Sequence, residues 1–382
     1  MAETETLRTD GPAGCTSSAP SPRAFATSEI FRTGDPAGLD VSTLERQAPA
    51  TFTHGRGRDF ISGAGPLSVE DELAPLSSDL RASLELAREA VLAGFDPGVD
   101  LSEIVPVVER QIREGAGHGV VRLHESRPVG LALWENAGPV GVAVRILYLR
   151  GKAASAEGYR SFLAEIERMT GVVAFAPTLP GLTLEEEATT LRSMGFAPYS
   201  RSEMRFPSTV PVPALEPAEG IVVRPFRPED ERSVAGVHAA AYRDHFDRYL
   251  FAEDLDADRN AELTVRRLIE GRYGEFLPWA STVVEDRGAI VAETLVLAPP
   301  KRALIADVAV APASQGKGLG RAVLIGTVRA LRERGSPAIA LVVTEGNRHA
   351  VRLYERLGFV RTLGPTREWY NTRQIPVPDD ST

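Results

Sequence analysis

A proline-rich segment divides the sequence into two parts in which the same order of elements recurs. Four prolines stand between residues 207 and 220. Because proline fixes φ and lacks a backbone N–H, this segment is predicted to be a stiff linker rather than a helix or a central strand. The pair Gly195-Phe196 returns as Gly358-Phe359, and the same offset of 163 residues roughly superposes the helices and strands before each pair. The chain is therefore predicted to contain two domains of one fold.

The length of 382 residues fits two domains with appendages. The first 65 residues mix Ser, Thr, Pro, Gly and Ala with charges and show no sustained period, so they are predicted to be largely unstructured. The predicted organisation is a disordered extension at 1–65, a first domain at 66–207, the linker at 208–220, a second domain at 221–371 and a tail at 372–382.

Composition argues against several classes of function. The formal net charge is −9, whereas nucleic-acid binding needs a clustered basic face, so no nucleic-acid partner is predicted. No apolar stretch is long enough to span a bilayer and the N-terminus lacks the order of a secretory signal, which predicts a cytoplasmic protein without a membrane partner. The single cysteine, Cys15, cannot form an internal disulfide. An acidic protein suits a small cationic amine as partner, and a homodimer stays open.

Apolar periodicity predicts helices, and runs of β-formers bounded by turn residues predict strands. The predicted helices include 84–92, 104–112 and 228–242, and the predicted strands of the first part include 119–123, 129–134, 142–149 and 172–175.

One segment of the second part orders a strand, a glycine-rich loop and a helix. The strand run 304–312 leads into Gln315-Gly316-Lys317-Gly318-Leu319-Gly320, and apolar residues at helical spacing follow. Glycines let the backbone approach a ligand, and unpaired amides at a helix N-terminus point toward anionic oxygens. Neither the Rossmann spacing nor the Walker ending Gly-Lys-Ser/Thr fits. The loop is predicted to bind a diphosphate, and an ordinary strand-to-helix turn is the alternative.

A second segment favours the diphosphate site. The strand run 339–343 precedes a helix from Asn347 to Phe359, with Asn347 as its N-cap and Gly358 as its stop. Together with Val308-Ala309-Val310 and the loop 315–320, this helix resembles the GNAT superfamily of acyl-CoA N-acyltransferases. The resemblance is strong over about residues 302–362, weak over the rest of the second domain and limited to element order in the first.

The resemblance implies an α/β (α+β) fold of two tandem GNAT-like domains, each a mixed, mostly antiparallel sheet flanked by helices, similar in organisation to the mycothiol synthase family. It also implies acetyl-CoA as the acyl donor, without a metal. The strand residues would bind pantetheine, the loop amides the pyrophosphate, and the helix the pantetheine or acetyl end. The residues implied in binding are Val308, Val310, Gln315, Gly316, Lys317, Gly318, Leu319, Gly320, Arg321, Asn347 and Tyr354.

Acyl transfer needs a proton for the departing thiolate and a group that takes a proton from the amine. By the resemblance, Tyr354 supplies the first, with packing against the cofactor as the alternative. Glu293 and Asp307 are candidate bases, with hydrogen-bonded strand carboxylates as the alternative. His238 and nearby histidines are expected to be surface or core residues, because these are commoner than metal ligands.

The first domain lacks these residue types. At the offset of 163 residues, Leu184 stands opposite Asn347 and Leu191 opposite Tyr354, and the loop at 150–158 has lost the glycine pattern and contains Glu157. The first domain is therefore predicted to be a degenerate, inactive copy. The sequence predicts an N-acetyltransferase that acts directly on a primary amine of a small molecule, without a covalent enzyme intermediate. An acyl-CoA-binding regulatory or partner-binding protein, a protein amine as acceptor, and a longer acyl group are alternatives.

Overall fold

A computed structural model describes residues 71–94, 104–115, 118–250, 252–298, 302–336, 338–362 and 366–375. The predicted extension at 1–65, Cys15 and the last residues of the predicted tail lie outside these ranges.

The described chain alternates strands and helices. The strands are β1 (Asp71–Pro75), β2 (His118–His124), β3 (Arg127–Asn136), β4 (Val142–Leu149), β5 (Val173–Ala176), β6 (Phe196–Phe206), β7 (Ile221–Pro225), β8 (Glu275–Phe276), β9 (Thr282–Asp286), β10 (Ala289–Ala298), β11 (Ala303–Val310), β12 (Ile339–Thr344), β13 (Val360–Arg361) and β14 (Thr366–Asn371). The helices are α1 (Leu80–Gly94), α2 (Ile104–Arg113), α3 (Ala156–Thr170), α4 (Leu184–Ser193), α5 (Glu231–Tyr242), α6 (Ala257–Ile269), α7 (Leu319–Glu333) and α8 (Arg348–Leu357).

Each half of the chain forms a mostly antiparallel ladder that ends in one parallel pair. In the first half, β1 to β4 pair antiparallel in chain order and β4 pairs parallel with β5. In the second half, β7, β9, β10 and β11 pair antiparallel and β11 pairs parallel with β12. The predicted fold class is confirmed. Strand β1 was not predicted from the sequence, because Asp71, Glu72 and Pro75 are poor strand formers. They are tolerated here because β1 is an edge strand that pairs only with β2.

Two strands join the halves into one sheet. β6 pairs antiparallel with β12, from Phe206 opposite Ile339 to Arg201 opposite Thr344. β14, from the end of the chain, lies between β5 and β6 and pairs antiparallel with both. The ladder therefore runs continuously through the order β5-β14-β6-β12-β11.

The core of the first half contains a residue from the end of the second. Trp369 on β14 is fully buried among Tyr159, Phe162 and Leu163 of α3. A second cluster spans the junction and includes Phe175 and Tyr199 from the first half with Phe246 from the second. The predicted domain bounds stay predictions, but the two halves share strands and core across them.

The predicted linker contains no helix or strand from residue 207 to residue 220. It packs on α7, where Arg332 donates to the Pro207 carbonyl and Arg329 donates to the Pro213 carbonyl at 3.4 Å. The Val210 side chain covers Gly358, since a Cβ at that glycine would lie 2.8 Å from it. The linker is therefore a packed part of the second half.

Candidate active site

The open edge of β11 lies at the centre of the second half. β11 pairs with β10 from Leu304 to Val310, whereas its parallel pairing with β12 ends at Ile305. A register shift next to Ile305 in the β10 ladder marks a bulge, and a bulge bends the strand that carries it. The bend gives a physical reason for the separation of β11 from β12. Val308 and Val310, which were predicted to bind pantetheine, lie on this separated stretch.

The predicted loop follows β11 and faces solvent. Gln315, Gly316, Lys317 and Gly318 are exposed. Gly316 and Gly318 have φ of +74° and +78°, the left-handed region that favours glycine, and a Cβ at either would meet no atom within 4 Å. Gln315 Nε2 donates to the Val310 carbonyl at 3.2 Å, which ties the loop to β11. The loop is therefore neither closed by its own side chains nor turned into the interior.

Helix α7 presents its first amides at this loop. It begins at Leu319 without a side-chain cap, and its first backbone hydrogen bond runs from the Ala322 amide to the Gly318 carbonyl at 3.0 Å. The amides of Leu319, Gly320 and Arg321 come before that bond and are the unpaired donors of a helix N-terminus. Leu319 is buried and anchors the turn, while Arg321 is exposed. This geometry fits a phosphate group, because such amides and the helix dipole both favour anions.

Close packing behind the loop depends on Gly320. A Cβ there would lie 3.2 Å from Leu353 Cδ2 of α8 and 3.4 Å from Val310 Cγ2 of β11. The absence of a side chain lets α7 approach both elements. Gly320 thus contributes both an amide and close packing.

Helix α8 begins and ends as predicted. Asn347 caps it by accepting from the Ala350 amide at 3.0 Å, and Gly358 ends it with φ of +102°. Asn347 Oδ1 serves as the acceptor of the cap. The side-chain amide nitrogen is the donor that Asn347 can offer to a ligand. A contact of Asn347 with the cofactor stays a prediction.

Tyr354 lies on the buried face of α8, with its ring 5.9 Å from that of Phe359. Burial raises the pKa of its hydroxyl, and the nearby carboxylates of Asp307 and Asp247 raise it further. The hydroxyl therefore keeps its proton at neutral pH and can donate it. No residue in the described part of the chain accepts a hydrogen bond from it, which suits the predicted role of proton donor to the thiolate.

A hydrogen-bonded cluster surrounds Asp307 on β11. The carboxyl is 5% exposed, and its Oδ2 lies 2.5 Å from His238 Nδ1 on α5. Its Oδ1 accepts from the Tyr242 hydroxyl at 3.0 Å and from the Val308 amide at 2.9 Å. Burial alone would raise the pKa of Asp307, but His238 and the hydrogen bonds hold it below its usual range. Asp307 is thus a saturated carboxylate and a weak proton acceptor.

Glu293 on β10 lies against this cluster in the opposite protonation state. It is fully buried, and burial together with the neighbouring Asp307 raises the pKa of Glu293 well above its usual range. Two adjacent buried carboxyls cannot both ionise cheaply, so Glu293 carries the proton and Asp307 the charge. The base role of Glu293 or Asp307 stays a prediction.

The sequence predicts His238 to be a surface or core residue and predicts no catalytic role for Tyr242. No local pattern links them to Asp307, which lies 69 residues beyond His238 in the chain. Their rings pack together with centroids 4.5 Å apart and an interplanar angle of 31°. The spacing of apolar residues along α5 predicts only that one face of the helix is buried. The contact with Asp307 on β11 is established only by the fold.

The same cluster is the one place in the described residues where three potential metal ligands converge. Ligand atoms of His238, Glu293 and Asp307 all lie within 4.8 Å of one another. Ligands at about 2.0–2.1 Å from a tetrahedral ion stand roughly 3.3 Å apart. The 2.5 Å between His238 Nδ1 and Asp307 Oδ2 is instead a hydrogen-bond distance, so the arrangement fits a shared proton better than an ion.

The first half fills the corresponding positions with its own groups. Ser155 caps α3 by accepting from the Gly158 amide at 3.1 Å, whereas α7 has no such cap. The Tyr159 hydroxyl donates to the Pro180 carbonyl at 2.6 Å and accepts from the Leu149 amide at 3.3 Å at the end of β4. In the first half, the amides of Gly158 and Leu149 are therefore already hydrogen-bonded to side chains and do not face a ligand unpaired.

The alignment of the two halves shifts by one residue within these helices. The N-caps Thr183 and Asn347 are one residue further apart than Gly195 and Gly358. The helix position opposite Tyr354 is thus Thr190 rather than Leu191. The first half therefore has Thr183 and Thr190 where the second half has Asn347 and Tyr354, so it still lacks both functional residue types.

Comparisons with known proteins agree with this geometry. The model of the acetyltransferase (GNAT) family matches residues 223–359. A mycothiol acetyltransferase of Streptomyces bingchenggensis is 31% identical over 318 residues, which cover 78% of this chain and 94% of that protein. A mycothiol acetyltransferase of Thermomonospora curvata is 34% identical over 154 residues, and that of Thermobispora bispora is 36% identical over 166. The chain spans about half the length of these last two, 48% and 52%.

A solved structure shares the fold. The GCN5-related N-acetyltransferase of Sphaerobacter thermophilus superposes with a TM-score of 0.52 at 19% identity, over 83% of this chain and all of that one. The fold and the loop together are those of the GNAT acetyltransferase class. The chain belongs to the GNAT acetyltransferase family, as the sequence resemblance indicated. Among the described residues, no helix combines the length and apolarity needed to cross a membrane.

Proposed function

We propose that the chain transfers an acetyl group from acetyl-CoA to a primary amine of a small molecule, and that the second half carries the reaction. The observation that carries the proposal is the uncapped N-terminus of α7 beside the separated stretch of β11. One element offers amides to a diphosphate, and the other offers a strand edge to pantetheine. The names of the matched relatives, mycothiol acetyltransferases, support an acetyl donor and a small-molecule acceptor.

The first half supports the reaction without performing it. Its helix α3 is capped by Ser155, and the Glu157 carboxylate in the first turn would repel a phosphate. Its β5 instead contacts β14 of the second half. We assign this half a structural role that holds the catalytic half in one continuous sheet.

Binding of acetyl-CoA, followed by calorimetry, tests the loop. Gly318→Asp places a carboxylate at the uncapped end of α7, where a Cβ meets no atom within 4 Å but the φ of +78° strains a residue other than glycine. A hydrogen bond to a charged group contributes roughly 1.5–3 kcal/mol, so losing one or two of them weakens binding roughly 100-fold. The matched control is Gly335→Asp, because Gly335 follows the other end of α7, has φ of +70° and also has open space around its Cβ position. Equal binding by Gly318→Asp and the unchanged protein would contradict the loop assignment.

Turnover is measured as free thiol released from acetyl-CoA with a panel of amines that includes the acceptor of mycothiol acetyltransferases. Tyr354→Phe keeps the ring contact with Phe359 and removes the proton donor. We expect it to lower kcat by roughly 100-fold or more with little change in acetyl-CoA affinity, as for loss of a general acid. An equal loss of affinity and kcat would indicate a packing role for Tyr354.

A further inference from the structure

His238 differs from both buried carboxyls in having a free basic atom. It lies on α5 with its side chain 10% exposed, and Nδ1 makes its hydrogen bond, to Asp307. Nε2 pairs with no group in the described part of the chain. It is also absent from the fully buried unpartnered atoms of those residues, so it reaches accessible space. Tyr242 packs on the ring and limits its rotation.

Asp307 determines which nitrogen of His238 is basic. A carboxylate beside Nδ1 favours the tautomer with the proton on Nδ1, which leaves the lone pair on Nε2. The same carboxylate stabilises the ring once Nε2 has taken a proton, which is the role of the aspartate in a serine hydrolase triad. The Tyr242 hydroxyl and the Val308 amide hold Asp307 in place for both functions.

We infer that His238 is the general base of the proposed acyl transfer and that Asp307 is its positioning residue. This inference rests on the proposed function. As the amine nitrogen bonds to the acetyl carbonyl carbon, its N–H proton passes to His238 Nε2. The carbon–sulfur bond breaks with its electron pair on sulfur, and the Tyr354 hydroxyl proton neutralises that sulfur. Solvent then returns the proton from His238 to Tyr354, so the protein ends in its starting state.

Three groups lie beside His238, namely Asp307 on β11, Glu293 on β10 and Tyr242 on its own helix α5. Glu293 carries a proton and Tyr242 stays neutral, so Asp307 is the charged one of the three.

Four variants, one of them a control, test the inference in the full chain. His238→Gln keeps a polar side chain of similar length, and His238→Ala leaves a space for free imidazole. His118→Gln is the matched control, because His118 is exposed on β2 of the first half. We expect His238→Gln to lower kcat roughly 100-fold or more with unchanged acetyl-CoA affinity. Added imidazole should restore part of the turnover of His238→Ala and none of that lost in Asp307→Asn.

A measurement without substrate supplies a second readout. The ¹⁵N spectrum of the imidazole rings, assigned by the signal missing in His238→Gln, should show His238 with its proton on Nδ1. Asp307→Asn should change that tautomer, whereas His118→Gln should leave it unchanged. A proton on Nε2 in the unchanged protein would overturn the inference, because the basic atom would then face Asp307.

The outcomes separate this inference from the proposed function. If the unchanged protein binds acetyl-CoA but releases no thiol with any amine, the proposed function fails and the inference with it. If it turns over and His238→Gln does so equally at every pH, only the inference fails. Stoichiometric zinc in the purified protein, with turnover lost on chelation, would also overturn it, since the cluster would then hold an ion.

Discussion

Trp369 gives the sharpest test of how the two halves depend on each other. It lies on β14, the last strand of the described chain, but it is fully buried in the core of the first half. Its register partners are Ala176 on β5 and Pro198 on β6, and its indole Nε1 donates to buried Glu187 at 3.3 Å. A change at Trp369 therefore acts on both halves through one strand.

Two substitutions separate the packing of Trp369 from its hydrogen bond. Trp369→Ala empties a large buried site, and such truncations cost about 3–5 kcal/mol. Trp369→Phe retains most of the volume but removes the donor to Glu187, and a buried group that loses a partner costs about 1–3 kcal/mol. At about 2.1 cal/mol/K of unfolding entropy per residue, a cooperative unit of roughly 300 residues loses about 1.6 °C of Tm per kcal/mol, so Trp369→Ala should lower Tm by roughly 5–8 °C.

Two probes in the same melt show whether the halves unfold together. Far-ultraviolet circular dichroism follows the whole chain, and loss of bound acetyl-CoA follows the second half. Because β14 pairs with β6 and β6 pairs with β12, both midpoints should fall by the same amount. The control is Trp134→Phe, since Trp134 is only partly buried in the same core. An unshifted acetyl-CoA midpoint beside a lowered dichroism midpoint would refute the coupling through β14.

Two buried carboxyls give further predictions. Glu293→Gln keeps a neutral group of the same shape, so kcat should stay within about threefold, whereas loss of a general base would lower it roughly 100-fold or more in the same thiol-release assay. Burial raises the pKa of Glu368 to about 7, with Arg145 opposing and Glu135 adding to the rise. Since the folded pKa exceeds the unfolded one, stability from this group is present at low pH and falls by about 3 kcal/mol as pH rises from about 4.5 to about 7. The Tm of Glu368→Gln should therefore fall less than that of the unchanged protein between pH 5 and pH 8, and parallel curves would contradict the shift.

The parts of the site that could be predicted from sequence are those determined by local backbone chemistry. Gly316 and Gly318 adopt left-handed φ values, Asn347 caps α8 and Gly358 ends it, and each of these needs only its neighbours in the chain. Strand β4 likewise matches its predicted bounds. A run of β-formers bounded by turn residues is enough to predict where such a strand begins and ends.

Pairings between distant segments could not be predicted in the same way. The run at β14 indicates a strand at most, and nothing near Trp369 shows that it will insert between β5 and β6. The internal offset even suggests the opposite, because it assigns each half its own complete set of strands. The sheet is instead continuous because β6 pairs antiparallel with β12 on one side and with β14 on the other.

The roles of the carboxyls follow from proximity rather than from residue type. Glu293 and Asp307 are equivalent candidates in the sequence, each an acid on a buried strand. In the fold they lie side by side, and His238, Tyr242 and the Val308 amide all stabilise the charge on Asp307. That asymmetry leaves Glu293 neutral, Asp307 charged but fully hydrogen-bonded, and the lone pair of His238 as the remaining basic site. The proposed base is therefore His238, whose partner Asp307 carries the charge, rather than either carboxyl.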